Sequence, residues 1–371
     1  MNHLNIIKKI LTTSSFDALL ISSVPNIIYL TSFSYFSKDE RDGYVLVTRN
    51  NNYIITSPLY ADAVRQHVKD FTLLQITRGH TLEQVVKTVV EKENIQTLGI
   101  EANNLTVSEY QKFAKIIPHI TPADLSKLRT IKINHEIERI EKACQIGDKA
   151  FLYILNHIKP GITEKALATE LELFIRKQQA DIAFRSIVAF SENASIPHHL
   201  SQERKLKPDD VILFDFGVKY ENYCSDMSRT VFFGRASEEA KRVYETVLTA
   251  QEKTITFLRP SDPPKCGEES QKKKIINASV VDKIARDYII SQGFPSIPHS
   301  LGHGIGLEVH ESPHLSPFSK DILQPGMVFS IEPGIYLPDK FGIRIEDLFV
   351  LEEDGVRQVT NAPKDLREII P

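Results

Sequence analysis

The chain opens with apolar residues at Leu4, Ile7 and Leu11, the spacing of one helical face. Lys8 and Lys9 interrupt that run, so it lacks the apolar core of a secretory signal. Residues 16–21 then read as a buried strand. Residues 44–48 and 53–56 read as strands on either side of Asn50-Asn51-Asn52, a turn signal, and residues 98–101 as a further short strand. Helical and strand patterns alternating in this way predict an α/β domain ending near Asp124, assigned to residues 1–125.

A second unit, residues 126–371, opens at Leu128-Arg129-Thr130-Ile131-Lys132 and runs into a long helix from about His135 to His157. Ile137, Ile140, Ala143 and Cys144 share one face of that helix, which makes Cys144 a core residue rather than a reactive thiol. The pattern that follows occurs twice. The first half reads helix, Lys159-Pro160-Gly161, helix, strand, then a hairpin holding Asp215 and Asp226. The second reads helix (about Ser237 to Phe257), Arg259-Pro260, helix (Ser279 to Ser291), a glycine-rich segment, then a hairpin holding Glu332 and Glu346. A duplication of this kind puts a site on a pseudo-two-fold axis, with carboxylates from each half. The halves differ at residues 261–276, where Pro263-Pro264, Gly267 and Lys272-Lys273-Lys274 read as a solvated surface loop.

Composition adds little. The chain has 371 residues, a net charge of −3 and 25% charged residues, an ordinary globular balance that favours neither nucleic acid nor an anionic membrane. The three cysteines, Cys144, Cys224 and Cys266, lie far apart and form neither a disulfide framework nor a zinc motif. No stretch is long and apolar enough to span a bilayer. The expectation is a cytoplasmic protein with no membrane or nucleic-acid partner.

The chemistry lies in acids placed where acids are costly. Val211-Ile212-Leu213-Phe214-Asp215-Phe216 is a buried-type strand with an aspartate inside it, and burying an unpaired carboxylate is expensive. The returning strand carries Asp226. A turn centred on Tyr220-Glu221 would set Asp215 directly opposite Asp226, with Cβ atoms ~5 Å apart. Two like charges so close need a divalent metal pair or a shared proton. Downstream, His299, His303 and His310 fall within twelve residues, and glycines flank His303, letting the backbone pass close to a buried object. Phe329-Ser330-Ile331-Glu332-Pro333 and Ile343-Arg344-Ile345-Glu346 repeat the theme of acids among apolar neighbours, with a turn between Pro338 and Gly342. Taken singly, Glu332 or Glu346 is a salt-bridged surface acid; the five residues together point to a metal site. Asp215, Asp226, His303, Glu332 and Glu346 are the candidate ligands. Four carboxylates and one imidazole suit hard or borderline ions, and carboxylates can bridge two of them. Two ions ~3.5–4 Å apart can share a hydroxide and polarise a carbonyl.

These residues resemble the pita-bread metallopeptidases, the family of aminopeptidase P, prolidase and methionine aminopeptidase. Asp-Phe-Gly at 215–217, Cys-Ser-Asp-Met-Ser-Arg-Thr at 224–230, Gly-His-Gly-Ile-Gly at 302–306, Val-His-Glu at 309–311, Ile-Glu-Pro-Gly at 331–334 and Arg-Ile-Glu-Asp at 344–347 resemble its motifs in order. Residues 191–198 resemble the stretch with a first catalytic histidine, and residues 26–31 a creatinase-type N-terminal domain, which points to the proline-directed branch. The resemblance implies an α/β N-terminal domain and an α+β pita-bread domain with pseudo-two-fold duplicated halves. It implies two divalent ions, manganese first, with cobalt, zinc or iron as alternatives. It also implies a homodimer acting on proline-containing peptides. By position, Glu332 is a ligand that also shuttles the water proton to the leaving amine. His310 stabilises the substrate carbonyl or the tetrahedral intermediate, and His198 positions the peptide. His299 lies beside the site, Tyr336 lines the pocket, and Arg344 orients the acidic ligands. His199 reads as a solvated neighbour of His198.

Prolidases of this family often place an arginine after a His-Glu-x-Pro segment to hold the dipeptide's carboxylate. Here His310-Glu311-Ser312-Pro313 is followed by His314, shorter and mostly neutral near pH 7. That favours Xaa-Pro aminopeptidase action on longer peptides, with Xaa-Pro dipeptidase (prolidase) action as the alternative. A non-enzymatic peptide-binding member of the fold, a creatinase-type hydrolase and a dipeptidase with no proline requirement are the other readings. The five intact ligand positions argue against the first two.

Overall fold

The structure is a computed structural model that describes residues 3–259 and 275–370. Its contacts divide into two units, Met1–Leu128 and Arg129–Pro371.

The first unit is built on a six-stranded mixed sheet. In chain order its strands are Ala18–Ile21, Gly43–Thr48, Asn52–Thr56, Thr72–Gln75, Thr97–Ile100 and His119–Pro122, and across the sheet they run 4-3-2-1-5-6. The first three are antiparallel neighbours, and the outer three join in parallel. Thr72–Gln75 and His119–Pro122 carry no fully buried residue and gave no pattern in the sequence. The opening helix, His3–Thr13, buries Leu4, Ile7 and Leu11 as their spacing predicts.

The second unit holds the two halves. In the first, helices Asn134–Leu155 and Glu164–Lys177 pack on strands Ile187–Phe190, Asp210–Phe216 and Met227–Phe233. In the second, helices Glu238–Leu258 and Ala278–Ser291 pack on strands Gly302–Gly304, Val328–Ile331 and Asp347–Glu352. Each half therefore repeats helix, helix, strand and hairpin, and each has its own apolar cluster. Thr163 and Ser237 cap the second helix of the first half and the first helix of the second half; each side-chain oxygen accepts from the backbone N–H three residues on. Cys144 is buried in the long helix face, as its spacing predicts. The loop expected at 261–276 lies mostly outside the described residues. At its end, Ile276 is not loop: strand Ile276–Asn277 pairs with Ile322–Leu323.

Candidate metal centre

The first pair of acids comes from one hairpin. Strand Asp210–Phe216 runs antiparallel to Met227–Phe233, and Asp215 faces Ser228, not Asp226. The cause is the turn, which sits one residue later than expected. Tyr220 pairs with Tyr223, and Glu221 and Asn222 between them have φ of 44° and 73°, the conformation of a tight two-residue hairpin turn. Moving a hairpin centre by one residue moves each partner by two, and side-chain direction has period two. Asp226 therefore becomes a diagonal neighbour of Asp215, and both still line one cavity of about 500 Å³.

The second pair is directly opposed. Ile331 faces Asp347 in one ladder and Gly334 faces Arg344 in the next, in the same register, so Glu332 and Glu346 fall opposite each other in the gap between them. Both glutamates send their backbone N–H out of the hairpin. Glu332 N donates to Leu301 O at 2.8 Å and Glu346 N to Ser228 O at 3.1 Å. The latter bond stitches the second hairpin to the first.

His303 reaches the same cavity from strand Gly302–Gly304. A Cβ on Gly302 would lie 2.0 Å from Ser330 O, and one on Gly304 2.1 Å from Ser312 O. Only glycine allows this strand so close to its neighbours. His303 Nδ1 lies 3.1 Å from Gly304 O. Donation there leaves Nε2 with its lone pair, 3.4 Å from Glu332 Oε1 and 3.6 Å from Asp226 Oδ2.

Asp226, His303 and Glu346 offer one ligand atom each, all within 4.8 Å of one another, and Asp215 and Glu332 line the same cavity. Two carboxylate oxygens, Asp226 Oδ1 and Glu346 Oε1, are buried with no hydrogen-bond partner. Burial and the surrounding carboxylates push Asp226 and Glu332 well above the usual carboxylate range. Burial, then the charge of Asp215, lifts Glu346 to about 7. Burial, then the neighbouring His310, lowers His303 to about 4, so its ring is neutral and able to ligate. Crowded acids, orphaned oxygens and a neutral imidazole fit divalent cations as their counter-charge.

A model of metallopeptidase family M24 matches residues 138–353, and one of the creatinase/prolidase N-terminal domain matches residues 4–131. The chain belongs to metallopeptidase family M24. A Xaa-Pro dipeptidase of Pyrococcus horikoshii is 32% identical to this M24 chain over 95% of each. Among solved structures, a Xaa-Pro dipeptidase from Bacillus anthracis matches with a TM-score of 0.89 and 32% identity, covering 99% of both chains. An X-Pro aminopeptidase from Thermotoga maritima matches with a TM-score of 0.84 and 32% identity, covering 96% of this chain and 99% of that one. The pita-bread fold and its duplicated halves are those of the family.

Around the five candidate ligands the remaining predicted residues divide. His198, His299, His310, His314 and Arg344 line the cavity. The His310 ring stands edge-on to His303, with centroids 4.4 Å apart. Tyr336 departs from expectation: it is buried behind the wall, where its hydroxyl accepts from Arg344 Nη1 at 2.7 Å and lies 2.9 Å from His299 Nε2. Burial, then the Arg344 charge, lowers His299 to about 4, so its lone pair is free to accept from Tyr336. Arg344 bonds toward the acids: Nη2 meets Asp215 Oδ2 at 2.6 Å, and Nε donates to Ser228 Oγ at 2.8 Å. Ser228 in turn donates to Glu346 Oε2 at 2.8 Å. His199 is not solvated. It is buried, with Nε2 2.9 Å from Glu164 Oε2. Glu164 also accepts from Phe190 N, Asn193 Nδ2 and Gln202 N, fastening both ends of the segment that presents His198.

The sequence missed Glu164, Ser228 and Arg229. Arg229 is fully buried, its guanidinium bonded to Glu346 O, Asp347 Oδ1, Ala362 O and Pro363 O. Its position inside an apolar strand next to two acid-bearing segments was a usable signal; Glu164 stands in the first turn of a helix, where an acid is common for local reasons, so its position carries no signal of the buried network. Lys132 and Glu311 form a buried ion pair at 3.2 Å just behind His310, again from segments distant in sequence.

Proposed function

We propose that this chain hydrolyses Xaa-Pro peptide bonds, with Asp215, Asp226, His303, Glu332 and Glu346 holding two divalent ions. The observation that supports it most is the pair of orphaned buried oxygens, Asp226 Oδ1 and Glu346 Oε1, inside a five-ligand cavity. Manganese is the first choice for so oxygen-rich a set. When bound, the ions supply Lewis-acid polarisation of the scissile carbonyl and activation of water.

The chain's own groups do the rest. Glu332 receives the water proton and returns it to the leaving amine. His310, at the cavity mouth, donates to the carbonyl oxygen as charge develops there. His198 positions the peptide. Phe184, Ile187 and Val309 give the cavity an apolar wall on which a pyrrolidine ring can pack. Residues 126–371 carry this chemistry, residues 1–125 form the creatinase-like domain, and the enzyme works as a cytoplasmic homodimer.

His314 favours longer peptides, whereas the dipeptidase names of the Pyrococcus and Bacillus proteins favour the dipeptide. The dipeptide reading has the greater support, and the Thermotoga aminopeptidase keeps the other in view. The test compares Xaa-Pro with Xaa-Pro-Yaa after chelation and manganese addition. Manganese-dependent cleavage, with higher kcat/KM on the dipeptide, is expected. No metal-dependent cleavage of either overturns the reading; faster cleavage of the tripeptide moves it to the aminopeptidase arm.

A further inference from the structure

Helix Glu238–Leu258 buries a mainly apolar face that includes Val243, Val247, Ala250, Ile255 and Leu258, with Thr246 and Thr254 each bonded back to the helix's own backbone. In the middle of it stands Gln251, with no exposed surface. A buried amide is costly unless every donor and acceptor is met. Here the donors are met by the second acid-bearing hairpin and the acceptor by Lys364.

The hairpin has a defect at its ligands. Ile345 N lies 3.4 Å from Pro333 O, in the register shared by the ladders on either side. The reciprocal bond cannot form, because Pro333 has no N–H. Ladder bonding therefore leaves the Ile345 carbonyl without a donor at the residue before Glu346. Gln251 Nε2 supplies one, at 3.4 Å from Ile345 O. The same nitrogen donates to Ile331 O at 3.1 Å, the residue before Glu332, and lies 3.1 Å from Asp347 Oδ2. Gln251 Oε1 accepts from Lys364 Nζ at 2.9 Å, and that ammonium also meets Asp347 Oδ2 at 2.8 Å. Carbonyls on one side and an ammonium on the other fix which way the amide points.

We infer that Gln251 is a positioning residue: it clamps the two strands of the hairpin at their proline-made gap and so sets the spacing of Glu332 and Glu346. The inference rests on the ligand assignment proposed above. Gln251 touches neither substrate nor ligand carboxylate, and it acts through the carbonyls one residue before each. A residue that orients ligands without ligating typically changes metal affinity by ~10–100-fold when lost.

The test uses the full chain, stripped of metal and titrated with Co²⁺, reading the visible absorption of the bound ion and the stoichiometry. Gln251→Met keeps the volume and removes the donors. Val247→Ala, one turn earlier on the same buried face, is the packing control, and Lys364→Met frees the amide to turn. Gln251→Met is expected to weaken the more weakly held ion at least ten-fold and to change the cobalt spectrum. Lys364→Met should do the same to a smaller degree, and Val247→Ala should lower the melting temperature with a wild-type spectrum and affinity. Wild-type cobalt binding and spectrum in both Gln251→Met and Lys364→Met overturn the inference while leaving the ligand assignment intact. If Gln251→Met does not fold, the Lys364→Met spectrum decides alone. Failure of the wild type to bind cobalt overturns both.

Discussion

Asp226 bears the most directly on the proposed chemistry of any single residue. Its Oδ1 has no partner, and its Oδ2 faces His303 Nε2 at 3.6 Å. Asp226→Ala is expected to abolish peptidase activity and to lower bound metal, measured by elemental analysis of the purified protein; full activity in this variant would break the ligand assignment. Arg344 shows the complementary arrangement. It lies within a ring of acids and is satisfied by Asp215, Ser228 and Tyr336 together. One permanent cation thus shares the cavity wall with groups that need movable ones. His199 and Tyr336 show how an individual side chain is misread from sequence. Each belongs to a network whose other members, Glu164 or His299 and Arg344, come from distant segments.

Among the elements, strand Gly302–Gly304 is tightly constrained. It lies between Glu311–Leu315 and Val328–Ile331, and a Cβ on Gly302 would meet Ser330 O at 2.0 Å. Two backbones cannot part to admit it without moving His303. Gly302→Ala is therefore expected to destabilise the fold by about 2 kcal/mol or more. That is a fall in melting temperature of roughly several degrees, with activity lost beyond what the residual folded fraction explains. A wild-type melting curve with full activity would show that the strand has slack. The first acid hairpin is fixed by its turn. Turn signals located it but set its centre one residue early, because Glu221 and Asn222, neither of them glycine, took the positive-φ positions. Period-two geometry kept both aspartates on one face despite that error.

For the whole molecule, the metal-free site should cost stability as pH rises. Burial, helped by neighbouring carboxylates, raises Asp226, Glu332 and Glu346 in the fold, Glu346 to about 7. An unfolded glutamate releases its proton near 4.3. Folded-state pKa values above the unfolded ones stabilise the fold at low pH, and that contribution is lost as pH rises from about 4.3 toward 7. Divalent metal reverses the sign, since it binds the deprotonated carboxylates. The melting-temperature gap between manganese-loaded and chelated protein should therefore widen from pH 5 to pH 7.5; a gap that narrows over that range would contradict this account. No helix among the described residues is long and apolar enough to cross a membrane. The acids are legible from the chain alone, because a carboxylate inside an apolar strand stands out against its neighbours, and so is the repeat of helix, helix, strand and hairpin. Motif order also made the family readable. Which residues hold those acids in place follows from long-range packing. Glu164, Arg229 and Gln251 work by bonding to backbone and side chains far away in the chain, and no local pattern records which carbonyl a buried amide or guanidinium will meet.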